Sequence, residues 1–482
     1  MSVLGHVRAL GALLVAASVC AQTSPVPTVW DENALADWPA PIAGLNVRPG
    51  FFKQHEYYSM AGDNFRSYPV YHPDREPPGY WLRLNSLKPE KLVDQSKIHT
   101  QAEWIAAGKR AWDELDTPSF RSSDPELIAR ARSRTVLSKV PLQRDGTVFA
   151  LRWVVTDKGL QISYLECGSC HTRFMPDGSH LAGAPENGAI EDTGGIGTEM
   201  FNRELLEYFK GDPLSIATYK TLAAPWIKAD IHERIKTMSS EELDTLFGTT
   251  VRGTFARING SPYYMTKIPD LIEIKDRKYI DHTATHRHRS PADLMRYAAL
   301  IQGVDCLDFG AHRFFTDEQR RILFRYDDAL LNALAHYIYS LQPPSNPHKW
   351  DALTGRGKEV FEREGCPGCH SPPLYTNNKL TVATGYTPPP DHPFRADILP
   401  VSVGTDAGLA LKTRKGTGLY KIPSLRGVWY RGLYLHDGSV ASLEEMFDPS
   451  RLSPDHVPGG WKGPGGERRS IPGAFVRPKS HA

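Results

Sequence analysis

Two short stretches, CGSCH at residues 167–171 and CPGCH at residues 366–370, decide how this sequence is interpreted. Each stretch has two cysteines three positions apart and a histidine directly after the second cysteine. The two thiols can add across the two vinyl groups of one haem, and the adjacent imidazole then falls beneath the iron as the proximal ligand. The spacing therefore predicts two covalently bound haem c groups. The predicted attachment residues and proximal ligands are Cys167, Cys170, His171, Cys366, Cys369 and His370.

Other readings of these cysteines explain the pattern less well. Four cysteines in an exported protein would ordinarily indicate two disulfides. A zinc ribbon would place its two C-x-x-C pairs roughly 15 to 20 residues apart, whereas about two hundred residues separate these pairs. A redox-active C-x-x-C gives no reason for a histidine after both copies. The remaining cysteines, Cys20 and Cys306, stand outside the motifs.

The first 21 residues predict export. Basic residues at His6 and Arg8 precede an apolar run that ends in small residues at Ala21, which is typical of a secretory signal peptide. Cys20 raises the alternative of a lipoprotein, although Val19 occupies a position where a lipobox needs a small residue. No later stretch has 18 consecutive apolar residues, so we expect no transmembrane segment and a periplasmic or extracellular location. With 57 basic and 55 acidic side chains, nothing indicates a nucleic-acid partner.

The rest of the chain predicts a mainly α protein with two cytochrome c-type haem domains, loop-rich connections and a few short strands. Helical periodicity marks residues 101–116, 124–137, 316–342 and the stretch that leads into the second motif. A strand-like run at residues 151–166 precedes the first motif, with a turn at 157–159. We divide the chain into a signal peptide (1–21), a region of unknown role (22–144), a first haem domain (145–344) and a second haem domain with a Pro/Gly-rich tail (345–482).

An internal repeat follows each motif. KIPDLIEIKDRKYIDH at 267–282 and KIPSLRGVWYRGLYLH at 421–436 both begin Lys-Ile-Pro-x-Leu and both place a histidine fifteen residues after the lysine. We expect the two segments to form the distal walls of the two haems. His436 is then the predicted sixth ligand of the second haem. The alternatives are that Met446 is the ligand, or that His436 is a structural histidine on a tight turn.

His282 holds the corresponding position at the first haem. Bound tightly, it would make that haem a six-coordinate electron carrier; placed loosely, it would be a distal acid or base above an open iron. His286 and His288 stand beside it in the sequence. The group could equally be a solvated basic loop, and a zinc or copper site built from the three histidines is a further alternative.

GTGLYKIPSLRGVWYRGLYLHDGSVASLEEMF at 416–447 and VGTDAGLA at 403–410 resemble the bacterial dihaem cytochrome c peroxidase superfamily. This superfamily includes the methylamine-utilisation dihaem enzyme and the rubber oxygenases. The resemblance covers most of residues 146–450. It implies that the haem at His171 reacts with hydrogen peroxide or dioxygen, and that the haem at His370 receives electrons from a small carrier protein. It also implies calcium between the two modules. The repeat position, not the resemblance, makes His282 the predicted catalytic residue.

The chain departs from this family at two places. The methionine that the peroxidases have some fourteen residues after the histidine of HDGS is Ser450 here, which favours a His370/His436 haem. The Trp-Asp-Gly usual in the first module is replaced by His282-Thr283-Ala284. The leading functional hypothesis is a periplasmic dihaem peroxidase-like oxidoreductase. The alternatives are a non-catalytic electron-transfer cytochrome with two bis-histidine haems and, third, a dioxygenase like the rubber oxygenases.

Overall fold

The computed structural model describes most of the chain, in blocks separated by gaps. The described residues are 25–138, 140, 142–143, 145–164, 167–187, 196, 224–228, 231–239, 242, 246, 253–255, 263–302, 308–313 and 324–452. The predicted signal peptide lies outside these residues, as do Cys306 and most of the Pro/Gly-rich tail.

The helices and strands of these blocks are mostly short. The α-helices are α1 (Glu32–Ala36), α2 (Gln54–Ser59), α3 (Tyr80–Ser86), α4 (Gln101–Glu114), α5 (Pro125–Ala131), α6 (Arg134–Leu137), α7 (Cys167–Cys170), α8 (Pro291–Gln302), α9 (Asp328–Ser340), α10 (Ala352–Arg363), α11 (Gly408–Leu411) and α12 (Leu443–Phe447). The 3-10 helices are Gln95–Lys97, Pro118–Phe120, Ile231–Thr237, Ile274–Asp276, Cys366–Gly368, Arg395–Asp397 and Pro449–Leu452. The strands are β1 (Gly62–Asp63), β2 (Ser67–Tyr71), β3 (Thr147–Thr156), β4 (Gly159–Tyr164), β5 (Thr172–Phe174), β6 (His180–Ala182), β7 (Thr254–Phe255), β8 (Thr266–Lys267), β9 (Tyr279–Ile280), β10 (His286–Arg287), β11 (Asp308–Phe309), β12 (His312–Arg313), β13 (Arg325–Tyr326), β14 (Leu380–Val382), β15 (Ile398–Leu399) and β16 (Leu419–Lys421). Within the described blocks, none of the helices has the length and hydropathy to cross a membrane.

The expectation of a mainly α protein is wrong. The strands of the described blocks form seven small sheets, of which β2-β3-β4 and β15-β14-β16 have three strands and the others two. Many of these strands are only two or three residues long, so they leave no period-two pattern that sequence reading can detect. Among the described residues, short paired strands therefore occupy part of what we expected to be loops between helices.

Two of the predicted helices are also shorter than expected. Residues 124–137 form two helices, because the side chain of Ser133 accepts a hydrogen bond from the Val136 amide and starts α6 afresh. Within 316–342, Arg325–Tyr326 is a strand paired in parallel with β1, and α9 begins only at Asp328. In that segment, pairing with a distant strand overrides the local helical periodicity.

The main core lies where α4 crosses α9. Thr100 and Glu103 cap the start of α4 with reciprocal hydrogen bonds, and the helix then buries Trp104 and Trp112. The backbones approach each other at Gly108, where a Cβ atom would overlap the carbonyl of Ala333. One continuous cluster of apolar side chains joins residues 29–115 to α8 and α9. The region for which the sequence suggested no role therefore helps to build the core beside the first motif.

The same region completes the largest sheet. β3 and β4 form the predicted hairpin, turning at residues 157–159, where Gly159 has a φ of +97°. β2 pairs antiparallel with β3 on the other side. Strand pairing thus crosses the boundary drawn at residue 144, and the division of the chain into domains stays a prediction.

A buried ion triad fixes the end of α4 to β1. The guanidinium of Arg121 lies 2.6 Å from the carboxylate of Asp63 and 2.6 Å from that of Asp116, and all three side chains are at most one-tenth exposed. Two carboxylates share one guanidinium that donates to both with good geometry. Removing the shared cation would leave both carboxylates buried without compensation.

Candidate haem sites

The first motif forms a single helical turn. Cys167–Cys170 is α7, and the His171 amide donates back to the Cys167 carbonyl at 3.2 Å, so both thiols and the imidazole leave the same turn. The Nδ1 atom of His171 lies 3.1 Å from the carbonyl oxygen of Pro269. A carbonyl can only accept, so Nδ1 carries the proton and Nε2 is the nitrogen with the lone pair.

The second motif repeats this arrangement with different partners. Cys366–Gly368 is a 3-10 turn, and the His370 amide donates to the Cys366 carbonyl at 2.9 Å. The Nδ1 atom of His370 lies 3.1 Å from the carbonyl oxygen of Tyr375. Cys366 and Cys369 are half-buried thiols that form no disulfide. The two sites therefore present the same chemical groups in the same order.

These residues fit the group that the sequence predicts. A histidine that ligates a metal through Nε2 usually donates its other N–H to a carboxylate or a carbonyl, which fixes both the tautomer and the plane of the ring. His171 and His370 each have such a carbonyl partner. Attachment of haem at the four cysteines stays a prediction.

Trp112 is the part of the first site that sequence reasoning missed. Its ring centroid lies 6.3 Å from that of His171, and a Cβ atom at Gly168 would lie only 3.1 Å from its Nε1. Gly168, in the middle of the C-x-x-C loop, thus packs against α4. Helical periodicity predicted the helix that carries Trp112, but no local signal connected it with a motif more than fifty residues away.

The two repeats have equivalent structures. Each Lys-Ile-Pro begins at the end of a short antiparallel pair, β7 with β8 in the first repeat and β14 with β16 in the second. Arg277 donates to the carbonyl of Asp270, and Arg431 donates to that of Ser424, which hold the same positions in their repeats. The similarity that the sequence shows therefore reflects a shared backbone path.

The repeats also bind each other. The Lys421 amide donates to the His282 carbonyl at 3.0 Å, and the Lys267 amide donates to the His436 carbonyl at 2.8 Å. The start of each repeat thus pairs with the end of the other. We call this contact, made by residues 267–282 and 421–436, the repeat seam.

We expected the first repeat to begin on the distal side of the haem, but it does not. Its residue Pro269 accepts the hydrogen bond from His171, so Lys-Ile-Pro lies beside the predicted proximal ligand. The amide of Leu271 donates to the Gly183 carbonyl, and the Gly183 amide donates to that of His171, which strengthens the same contact. The expectation of a distal wall is therefore wrong for this part of the repeat.

His282 lies in the seam, with its ring held by the backbone. Its Nε2 donates to the Lys267 carbonyl at 2.8 Å. Burial, together with the positive charge of Lys421, lowers the pKa of His282 to about 3. The imidazole is thus neutral near pH 7 and is fixed in one orientation. Its predicted roles, as sixth ligand or as distal catalytic residue, stay predictions.

His436 is buried in a polar pocket at the other end of the seam. Its Nε2 lies 3.3 Å from the hydroxyl of Tyr420, and its Nδ1 lies 3.4 Å from that of Thr405. Burial lowers the pKa of His436, but the carboxylates of Asp437 and Asp406 outweigh it, so the pKa is raised. These contacts agree with the alternative that His436 is a structural histidine on a tight turn. The sixth-ligand assignment stays a prediction.

His286 and His288 are buried, so the solvated basic loop is wrong. The ring of His286 lies 4.0 Å from that of Trp38, while His288 bridges the Arg277 carbonyl at 2.8 Å and the Tyr339 hydroxyl at 2.7 Å. Each histidine of the predicted cluster therefore has its own packing partners. Within the described ranges, no group of three or more His, Cys, Asp or Glu side chains is arranged to hold a metal ion. The calcium that the resemblance implies stays a prediction.

Comparison with known proteins adds little to this geometry. No protein-family model matches the chain, and no curated protein matches it significantly. Among solved structures, it matches one of Kuenenia stuttgartiensis hydrazine synthase pressurized with xenon, with 14% sequence identity and a TM-score of 0.28. The match covers 56% of this chain and 90% of the other. A TM-score this low does not establish a shared fold, and membership of the dihaem peroxidase superfamily stays a prediction.

Proposed function

We propose that this protein is an exported dihaem c-type cytochrome that acts in the periplasm as a peroxidase-like oxidoreductase. One observation carries the proposal: His171 and His370 each follow a C-x-x-C pair directly, and each donates Nδ1–H to a backbone carbonyl. This pairing of residue type, spacing and tautomer suits a proximal haem ligand at both motifs. When bound, haem c supplies one-electron chemistry at iron.

The two sites differ in ways that support a division of labour. The helix before the second motif, α10, buries none of its residues, so that motif lies at the surface. An electron carrier could dock there. The first motif packs against buried Trp112, and its middle residues, Gly168 and Ser169, are buried. Cys366, Cys369 and His370 would hold the haem that accepts electrons from the carrier, and Cys167, Cys170 and His171 would hold the haem that supplies them to hydrogen peroxide.

The residues around the first site then have separate tasks. The Pro269 carbonyl orients the imidazole of His171, and Trp112 supports the loop from below. His282 holds its proton at Nε2 against the Lys267 carbonyl. To move a proton to or from peroxide, His282 must first release that carbonyl. The catalytic proposal therefore requires a local conformational change at the repeat seam.

One observation favours the second candidate, a bis-histidine electron-transfer cytochrome. The pKa of His282 is lowered to about 3, so its ring is neutral at physiological pH. A neutral imidazole is a good metal ligand, whereas a general acid should have a pKa near the working pH. To complete a six-coordinate haem through Nε2, His282 would likewise have to release the Lys267 carbonyl.

Low-temperature EPR of the ferric holoprotein separates the two candidates, together with an assay for peroxide-dependent oxidation of a reduced small cytochrome. The peroxidase proposal predicts a high-spin signal from one haem in the ferric or the half-reduced protein, and turnover with peroxide. Two low-spin haems in both states, without turnover, would refute it and leave the electron-transfer candidate.

A further inference from the structure

The repeat seam contains two lysines, Lys267 and Lys421, whose neighbouring carboxylates are held by other groups. Lys267 and Lys421 occupy the same position in the two repeats; Lys267 is 8% exposed and Lys421 is half-buried. Among the described residues, neither ammonium group forms an ion pair, and the Lys267 Nζ lies 5.9 Å from the centroid of the Tyr434 ring. Burying an ammonium group without a counter-charge is strongly unfavourable.

Two carboxylates, Asp270 and Asp281, interact with these lysines, but both have other partners. Asp281 accepts hydrogen bonds from the His282 amide and from the Tyr297 hydroxyl. Asp270 is bound by two guanidinium groups at once, Arg277 at 3.1 Å and Arg431 at 2.6 Å, so its charge is already shared. Arg173, two residues after His171, adds a further cation whose buried Nη1 has no hydrogen-bond partner in the described part of the chain. The seam therefore concentrates positive charge in a partly dry place.

The seam is also tied to both predicted proximal histidines. Pro269, two residues after Lys267, accepts the hydrogen bond from His171. The Tyr375 carbonyl, which accepts from His370, also accepts from the amide of Leu425 in the second repeat at 3.1 Å. The segments that carry the two lysines are thus the ones that hold the two imidazoles in place.

We propose that the repeat seam binds the propionate carboxylates of the two haems, with Lys267 and Lys421 as their counter-ions. This inference rests on the proposed attachment of haem at both motifs. Carboxylates supply the missing negative charge, and each haem has two of them. Because the two lysines lie on repeats that bind each other, they form one cationic site that serves both haems. Lys267 and Lys421 are positioning and tuning residues, not catalytic ones.

The test compares the holoproteins of Lys267→Met and Lys421→Met with the parent by optical redox titration of both haems. Methionine keeps the length of the side chain and removes the charge. Each variant should shift the reduction equilibrium of at least one haem about tenfold toward the ferric form, as expected for the loss of one charge a few ångströms away in a partly screened site. Lys158→Met, at an exposed turn, should leave both equilibria unchanged. Lys267→Arg should retain the parent values.

Two results would overturn the inference. Unchanged titrations in both methionine variants would show that the lysines face no haem carboxylate. Parent titrations that shift with added phosphate at constant ionic strength, while the variants do not, would assign the seam to an exchangeable anion. If Lys267→Met does not accumulate as folded protein, the phosphate titration of the parent and the redox titration of Lys421→Met still test the inference. If the protein carries two haems and their potentials do not change in the variants, this inference is wrong and the proposed function stands. If the protein carries no haem, the proposed function is wrong as well.

Discussion

Substitution of Gly108 by alanine should loosen the core beside the first motif. A Cβ atom at this position would overlap the Ala333 carbonyl and lie 2.7 Å from the Cβ of Tyr337, where 3.4–4 Å is ordinary contact. Overpacking of this kind costs about 1–3 kcal/mol, and two packed helix backbones should place it near the upper end. Alanine recovers about 0.5–1 kcal/mol through its better helix propensity. We therefore expect a net loss of about 2 kcal/mol in the free energy of unfolding.

The assay is urea unfolding followed by circular dichroism, with Gly357→Ala as the matched control. Gly357 also lies inside a helix, but a Cβ atom there meets nothing within 4 Å, so that variant should be slightly more stable than the parent. Since α4 also carries Trp112, Gly108→Ala should disturb the absorption spectrum of the first haem. Equal stability of the two variants would refute the close crossing of α4 and α9.

Three further outcomes are expected. Arg121→Met should lower the free energy of unfolding by about 3–5 kcal/mol, because it strands two buried carboxylates; a loss below about 1 kcal/mol in a denaturant titration would contradict the ion triad. His282→Gly should slow the peroxide reaction by about 10²–10⁴-fold at unchanged haem content; a low-spin haem that becomes high-spin and gains the reaction would instead identify His282 as a ligand. Burial raises the pKa of Asp293, but the hydrogen bonds from Arg289 outweigh it and lower the pKa below 3.8. The stabilisation is thus present above pH 3.8 and is lost as the pH falls through the lower folded-state pKa. Asp293→Asn should therefore destabilise the protein at pH 7, and the stability of this variant should fall less on acidification than that of the parent. Identical acid unfolding curves for the two proteins would count against this.

The local parts of the structure were predictable from the sequence. The β3–β4 hairpin follows from its β-branched and aromatic residues and from Gly159 at the turn. The α4 helix follows from its periodicity and from the Thr100–Glu103 capping box. The equivalence of the two repeats follows from Lys-Ile-Pro at the start of each. In these cases the residues that determine the conformation are close together in the chain.

The parts that sequence reading missed depend on contacts between distant segments. The mainly α fold was wrong because strands as short as β13 exist only through pairing with β1, more than two hundred residues away. The position of Pro269 beside His171, and of Trp112 beneath the C-x-x-C loop, likewise has no local signature. A repeat reveals that two segments are alike, but not that they bind each other.

The most direct test of the account is the number of haems on the purified protein and on two variants. After maturation with a cytochrome c assembly system, intact-mass measurement and pyridine haemochrome absorbance should both give two haems per chain. Removal of both cysteines of one motif, in Cys167→Ser/Cys170→Ser or in Cys366→Ser/Cys369→Ser, should leave one haem. A parent protein with no covalent haem, or with a disulfide between the cysteines of either motif, would contradict the account.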